Sequence, residues 1–104
     1  MQNLAPDAFK ALIALPGTTL LDVRMPEEVE IAALPGAINI PLAELGQRVI
    51  ELNPSAPIAV LCHHGVRSEM AGRFLERNGF ADVSHLIGVI DAWSQLIDAT
   101  VPRY

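Results

Sequence analysis

The chain has 104 residues, enough for one hydrophobic core, and 51% of them are apolar while 18% are charged, which excludes an intrinsically disordered chain. The formal net charge is −5 and no basic patch occurs, which argues against a nucleic-acid binder. No apolar run approaches the ~20 residues of a membrane-spanning helix, and the amino-terminal residues do not look like a signal peptide, so no membrane partner is expected.

The first half of the chain predicts helices and strands in alternation. A helix is expected to open at Pro6, and the β-branched and aliphatic run 18–23 predicts a strand. Pro26 and the two glutamates after it suit the first turn of a second helix, because carboxylates there interact favourably with the helix dipole. After a Pro-Gly turn, residues 37–40 predict a short second strand.

The second half of the chain continues this alternation. Apolar residues at i, i+3, i+7 and i+10 predict an amphipathic helix over 42–53. The continuous apolar run 58–61 is typical of a central strand buried on both faces. A helix over 68–78, a strand over 83–86 and a short helix over 90–97 complete the pattern.

The helix predicted over 68–78 is expected to turn one apolar stripe to the core and to end in a glycine cap. Gly79 is placed just beyond this helix, where a left-handed residue commonly satisfies the last carbonyl groups. The apolar positions of the stripe are Met70, Ala71, Phe74 and Leu75.

The alternation of strands and helices favours an α/β fold with right-handed crossovers and a mostly parallel sheet. No repeat, linker or change of composition divides the sequence, so residues 1–104 are predicted to form one domain. Cys62 is the only cysteine, which permits no internal disulfide. An unpaired thiol fits a reducing cytoplasm better than a secreted setting.

The segment from Cys62 to Ser68 is the strongest candidate for a functional site. It follows the buried strand predicted over 58–61, and ligands bind beyond the carboxyl ends of such strands. Asp22 and Arg24 end another predicted strand and are expected at the same edge. Loop amides and a helix amino terminus favour negative charge there, so the pKa of the Cys62 thiol should lie below its usual value of about 8.5. The alternative is a buried structural cysteine.

A metal site is a second interpretation of this segment, because Cys62, His63 and His64 are all metal-ligating residue types. Adjacent histidines in a tight loop diverge, no second cluster completes a closed site, and His85 lies far along the chain. The sequence therefore predicts no metal. The two loop histidines are expected to line the mouth of the pocket and to add positive charge as the pH falls through about 6.5.

Short motifs spread over nearly the whole chain resemble those of the rhodanese-like (sulfurtransferase) family. Each motif alone is weak, but their order and spacing together are specific. The motifs are Leu21 to Arg24 followed by Glu27-Glu28, Leu34 to Pro41, Cys62 to Ser68, Gly79-Phe80, Leu86 to Gly88 with Ile90 to Trp93, and Val101 to Tyr104.

This resemblance implies a sheet of about five parallel strands flanked by helices on both faces, and a Cys62 that carries sulfane sulfur as a persulfide. The sulfur would come from thiosulfate or a persulfide and pass to a thiol, cyanide or a protein cysteine, with no cofactor. Asp22 and Arg24 would brace the active-site loop. The residues whose amides would cradle the outer sulfur are His63, His64, Gly65, Val66 and Arg67.

The sequence leaves more than one role open for Arg67 and for Asp22, and indicates a single role for Ser68. Arg67 is expected to contact an anionic substrate group through its fork of donors, and the alternative is a pairing with Glu69, Asp22 or another helix carboxylate that holds the loop. Ser68 is expected to support the loop as the amino-terminal cap of the following helix. Asp22 is expected to accept hydrogen bonds from the loop, to pair with Arg24, or both.

Two other functions remain open for this chain. Phosphatase or arsenate reductase chemistry uses a Cys-to-Arg loop one residue longer than the four residues between Cys62 and Arg67, so the loop length favours sulfur. A non-catalytic or regulatory interaction module usually loses the cysteine, which is present here. The chain also departs from the family pattern at Val89, where relatives often have glycine, and at Ala33, where they commonly have histidine.

Overall fold

The computed structural model describes residues 1–31, 36–61 and 66–86. The strands in these ranges are β1 Gln2–Leu4, β2 Thr19–Asp22, β3 Ile38–Asn39, β4 Ile58–Leu61 and β5 Val83–Leu86. The helices are α1 Pro6–Ile13, α2 Pro26–Ile31, α3 Leu45–Arg48 and α4 Val66–Arg77, and short 3₁₀ turns at Leu42–Glu44 and Val49–Glu51 flank α3.

The five strands form one sheet in the order β1-β5-β4-β2-β3, and every neighbouring pair is parallel. The prediction of an α/β fold with a mostly parallel sheet of about five strands is therefore confirmed. Strand β4 lies at the centre, and Asp22 on β2 is in register with Leu61 on β4. The carboxyl ends of the two strands consequently meet at one edge of the sheet.

Apolar side chains pack against both faces of the sheet. On one face, residues of β2, β4 and β5 pack with Leu45 of α3 and with Ala71 and Leu75 of α4. On the other, Phe9 of α1 packs against a smaller cluster from the same three strands. Helices therefore cover both faces, as expected. Because successive side chains of a strand alternate between the faces, all four residues of β4 are buried.

Strand β1 was not predicted from the sequence. Its three residues, Gln2, Asn3 and Leu4, carry too little β-branched or aromatic character to indicate a strand. They pair with residues 84–86 at the open edge of β5, far away in the sequence. This strand is specified by the partner edge and not by local propensity.

The continuous helix predicted over 42–53 is wrong, because the structure has two 3₁₀ turns with one short α-helical turn between them. Gly46 lies in the α-helical turn and the β-branched pair Val49-Ile50 follows it, and both residue types lower helix stability. The apolar residues of this segment still contribute to the core. Leu45 and Leu52 are buried against the sheet, although the backbone between them is not one α-helix.

The stripe predicted on α4 is also only partly correct. Ala71 and Leu75 are buried and Phe74 is partly buried, but Met70 is 56% exposed. Met70 lies at the margin of the stripe, beside a groove that it lines with Leu42 and Leu45. The short helix predicted over 90–97 lies outside the described residues, and the assignment of all of 1–104 to one domain stays a prediction.

The glycine cap predicted after α4 is present. Gly79 has a φ of +91°, its N–H donates to the carbonyl of Glu76, and the N–H of Phe80 donates to the carbonyl of Leu75 at 3.1 Å. These two bonds form a Schellman motif, in which a left-handed residue lets the chain satisfy the last helical carbonyls. Within the described ranges, no helix is long and apolar enough to cross a membrane.

We expect Gly79→Ala to lower the free energy of unfolding by about 1–2 kcal/mol, because the left-handed conformation strains any residue with a Cβ. A Cβ at this position would meet no atom within 4 Å, so the cost is conformational and not steric. Gly46→Ala is the matched control, because its Cβ also has open space but its backbone is helical, and it should stabilise the chain by about 0.4–1 kcal/mol. Urea denaturation of both variants measures the two changes, and effects of the same sign would contradict this explanation.

Candidate functional site

The candidate site lies where β4 ends and α4 begins. Leu61 is the last residue of the buried central strand and Val66 the first residue of the helix, so only residues 62–65 connect them. Because α4 runs back across the sheet, its amino terminus, which carries a partial positive charge, lies at the same edge as the ends of β2 and β4. This edge is suited to a small anionic group.

Part of the predicted site lies outside the described residues. This applies to Cys62, His63, His64 and Gly65, and to the side chain of Val66. The structure does describe Arg67, which is half-buried, and Ser68, which is buried. Both lie in the first turn of α4, directly after the connection that carries the cysteine.

Asp22 and Arg24 form a fully buried ion pair at the end of β2. The Arg24 Nε donates to both carboxylate oxygens of Asp22, at 2.9 and 3.1 Å, and Nη2 donates to Oδ2 at 2.6 Å. The backbone N–H of Arg24 donates to Oδ1 at 3.0 Å, so Asp22 accepts four bonds from one residue. Both side chains are 0% exposed. Of the roles considered for Asp22, the pairing with Arg24 is the one present among the described residues.

Asn39 is a site residue that the sequence analysis missed. Its Nδ2 donates to the backbone carbonyls of Asp22 and Arg24, at 3.0 and 2.9 Å, and so fixes the chain on either side of Val23. Asn39 is in register with Asp22 across the β2–β3 pair. The available signal was a polar amide at the end of a short predicted strand, beside the strand that ends in Asp22.

Ser68 is not the amino-terminal cap of α4. The helix begins at Val66, so Ser68 is its third residue, and its Oγ lies 2.9 Å from Nδ1 of His85 on β5. Nε2 of the same histidine lies 2.6 Å from Oδ1 of Asn3 on β1. His85 is distant from the site segment along the chain, and the packing of α4 against β5 brings it next to Ser68.

The environment of His85 keeps the imidazole neutral. Burial is the main cause that lowers its pKa below the usual 6.5, since a charged imidazole loses solvation there. The carboxylate of Glu69 opposes this effect, and the terminal ammonium group adds to it.

Two of the carboxylates considered as partners of Arg67 have ion-pair partners elsewhere in the described ranges. Glu69 accepts a hydrogen bond from Nη2 of Arg73 at 2.9 Å, and Asp22 pairs with Arg24. Residues 1–31, 36–61 and 66–86 contain no group of three His, Cys, Asp or Glu side chains that would hold a metal ion. Since Cys62, His63 and His64 lie outside these ranges, the absence of a metal stays a prediction.

The pattern of the rhodanese-like domain matches residues 5–96 of this chain. The chain belongs to the rhodanese-like domain family. A rhodanese-related protein of Thermoplasma volcanium has the same fold, with a TM-score of 0.83 and 30% sequence identity over 91% of this chain and 92% of that one. The resemblance inferred from the motifs is confirmed.

Other relatives are longer proteins. YrkF of Bacillus subtilis, named as a candidate sulfur carrier protein, is 43% identical over 93 residues, which cover 88% of this chain and 50% of YrkF. The adenylyltransferase and sulfurtransferase UBA4 of Meyerozyma guilliermondii is 32% identical over 93 residues, which cover 82% of this chain and 22% of UBA4. The chain thus spans half or less of the length of these two relatives, whose names refer to sulfur carriage or sulfur transfer.

We expect Asp22→Asn to lower the free energy of unfolding by about 3–5 kcal/mol, because the buried Arg24 guanidinium loses its counter-charge. The double variant Asp22→Leu/Arg24→Met should recover most of this loss, since it removes both buried charges. Urea denaturation measures both changes.

Glu69→Gln is the control for this prediction, because it breaks the exposed Glu69–Arg73 pair and should change stability little. A double variant as unstable as Asp22→Asn would mean that the shape of the pair matters and its charge does not.

Proposed function

We propose that this protein is a sulfurtransferase that carries sulfane sulfur on Cys62 as a persulfide. The observation that carries the proposal is the position of the only cysteine, in a four-residue connection between the buried central strand β4 and the twelve-residue helix α4. The relatives named as a candidate sulfur carrier and as a sulfurtransferase support the same chemistry. A carrier and a transferase differ in the acceptor, and both require the persulfide.

The reaction consists of two displacements at sulfur. The Cys62 thiolate attacks the outer sulfur of thiosulfate, an S–S bond to Cys62 forms, and the bond to the sulfonate sulfur breaks so that sulfite leaves with the electron pair. In the second step a thiolate or cyanide attacks the outer sulfur of the persulfide. The products are a new persulfide or thiocyanate and the regenerated Cys62 thiolate. The charge balances in each step without a cofactor.

The electrostatics of the sheet edge support this chemistry. The persulfide ends in an anionic sulfur, which the partial positive charge at the α4 amino terminus and nearby N–H groups would stabilise. We assign the amides of residues 63–67 to this cradle and the Arg67 guanidinium to the sulfonate group of thiosulfate. The buried Asp22–Arg24 pair, which ends the strand beside β4, braces the edge.

The short connection also favours sulfur over a tetrahedral oxyanion. Four residues lie between Cys62 and Arg67 in the sequence, one fewer than in the loops of phosphatases or arsenate reductases, so we expect a small ring of amides that suits a single sulfur atom beyond the thiol. Phosphate or arsenate needs a wider ring. We also infer that the protein works in a reducing compartment such as the cytoplasm, where an unpaired thiol persists, with a small-molecule donor and a thiol or protein-cysteine acceptor.

Cys62→Ser should keep the fold and abolish sulfur transfer, because a hydroxyl of similar size is a much weaker nucleophile than the thiolate. Intact-protein mass spectrometry after exposure to thiosulfate should show the mass of one added sulfur atom on the wild type and none on the variant. Thiocyanate formation from thiosulfate and cyanide should follow the same pattern. Transfer by the variant within a few-fold of the wild type would eliminate Cys62 as the sulfur carrier.

Arg67→Ala should lower kcat/KM for thiosulfate by roughly 10- to 100-fold, because a charge-assisted contact of about 1.5–3 kcal/mol is lost. A neutral alkyl persulfide donor, which lacks the sulfonate, should be affected less. Arg73→Ala is the matched control, since Arg73 lies on the same helix and pairs with the exposed Glu69. An equal loss with both donors would assign Arg67 to the support of the loop.

A further inference from the structure

A hydrogen-bonded chain of three side chains links the site segment to the edge of the sheet. His85 on β5 lies between Ser68 in the first turn of α4 and Asn3 on β1, with distances of 2.9 Å from Nδ1 to Ser68 Oγ and 2.6 Å from Nε2 to Asn3 Oδ1. Asn3 and His85 are paired residues of neighbouring parallel strands, so their side chains share one face of the sheet. That is the face covered by α4.

The chemistry of the three groups fixes the direction of both hydrogen bonds. Asn3 Oδ1 only accepts, so Nε2 of His85 must carry the proton that lies between them. A neutral imidazole has one N–H, so Nδ1 is then unprotonated and must accept the hydroxyl proton of Ser68. Asn3 thereby selects the tautomer of His85, and His85 in turn fixes the hydroxyl of Ser68.

The chain is buried where it meets the site. Ser68 is 0% exposed and His85 is 8% exposed, so water does not compete strongly for these groups. The charged groups that act on the imidazole are the Glu69 carboxylate on α4 and the terminal ammonium group, with opposite effects on its pKa. Burial is the largest effect and acts in the same direction as the ammonium group; it outweighs the Glu69 carboxylate, so the pKa of the imidazole is lowered and the ring is neutral at neutral pH.

We propose that His85 is a positioning residue for sulfur transfer: held in one tautomer by Asn3, it fixes Ser68 and with it the first turn of α4, onto which the connection carrying Cys62 is attached. This inference rests on the proposed function of Cys62. Ser68 is three residues from the end of that connection, so its fixed hydroxyl anchors the helical end of the loop to β5.

The arrangement makes the anchor sensitive to acid. When His85 gains a second proton, Nδ1 becomes a donor and no longer accepts from Ser68, so the hydroxyl must turn its own proton elsewhere. Because the folded-state pKa of His85 lies below 6.5, the Ser68 hydroxyl donates to Nδ1 at neutral pH. As the pH falls through that lower pKa, Nδ1 donates to Ser68 Oγ instead, so the bond reverses and the orientation of the hydroxyl that His85 holds at neutral pH is lost. The rate of sulfur loading should fall over the same range.

Four chains test this proposal: the wild type, Ser68→Ala, His85→Leu and His85→Asn. The asparagine amide oxygen can take the position of Nδ1 and accept from Ser68, but the amide does not titrate. The rate of Cys62 persulfide formation from thiosulfate, measured by intact mass, should fall about 5- to 10-fold in Ser68→Ala and His85→Leu with KM nearly unchanged. The rate in His85→Asn should stay within about two-fold of the wild-type rate at neutral pH. It should also lack the decrease at low pH that protonation of His85 causes in the wild type.

Nitrogen NMR of the wild type gives a readout that does not depend on activity. It should show His85 with the proton on Nε2 at neutral pH, and a proton on Nδ1 instead would overturn the proposal. Identical pH profiles for the wild type and His85→Asn would do the same.

The outcomes separate this inference from the proposed function. A wild type that gains sulfur at a rate unchanged in Ser68→Ala overturns the positioning role alone, and this holds even if His85→Leu does not fold. A wild type that gains no sulfur from thiosulfate or an alkyl persulfide overturns the proposed function and this inference together.

Discussion

The edge of the sheet that holds the candidate site depends on the buried ion pair between Asp22 and Arg24. Removing two charged side chains from water costs free energy, and here four hydrogen bonds from Arg24 to the Asp22 carboxylate offset that cost. The pair ends β2 in register with Leu61, the residue after which the cysteine-bearing connection begins. Asn39 on β3 donates hydrogen bonds to the backbone carbonyls of the same two residues, on either side of Val23. Three strand ends are thus fixed together at the place where chemistry is proposed.

The local field at this edge differs from the charge of the whole chain. The net charge of −5 would repel an anionic sulfur donor at long range, but exposed charges are screened beyond about 8–10 Å at physiological salt. Close to the site, the amino terminus of α4 contributes partial positive charge, and the proposed role of Arg67 would add to it. Several exposed acids of the chain are already paired, for example Glu69 with Arg73 and Glu51 with Arg48. A neutral or positive local environment is compatible with an acidic protein.

The polar contacts beneath the site join elements that are far apart in sequence. The bond between His85 and Asn3 spans 82 positions, and that between Asn39 and Asp22 spans 17. Each bond joins neighbouring strands in register, so the parallel sheet converts separate short motifs into one connected support. The side chains that hold the edge are uncharged amides, a neutral imidazole and one internally compensated ion pair. This small number of buried charges suits the anionic persulfide that we propose for Cys62.

The sequence by itself determined the α/β class, the buried central strand, the glycine cap of α4, the family, the position of Asp22 and Arg24 at the end of a strand, and that of Cys62 directly after Leu61. These features depend on local periodicity, turn chemistry and the order of short motifs, and each of these signals comes from residues that are close together in the sequence. Strand β1 and the contacts of Ser68 with His85 were decided only by the tertiary structure. Each of them requires a partner that is distant along the chain, and pairing across a sheet or between a helix and a strand leaves no local pattern to read.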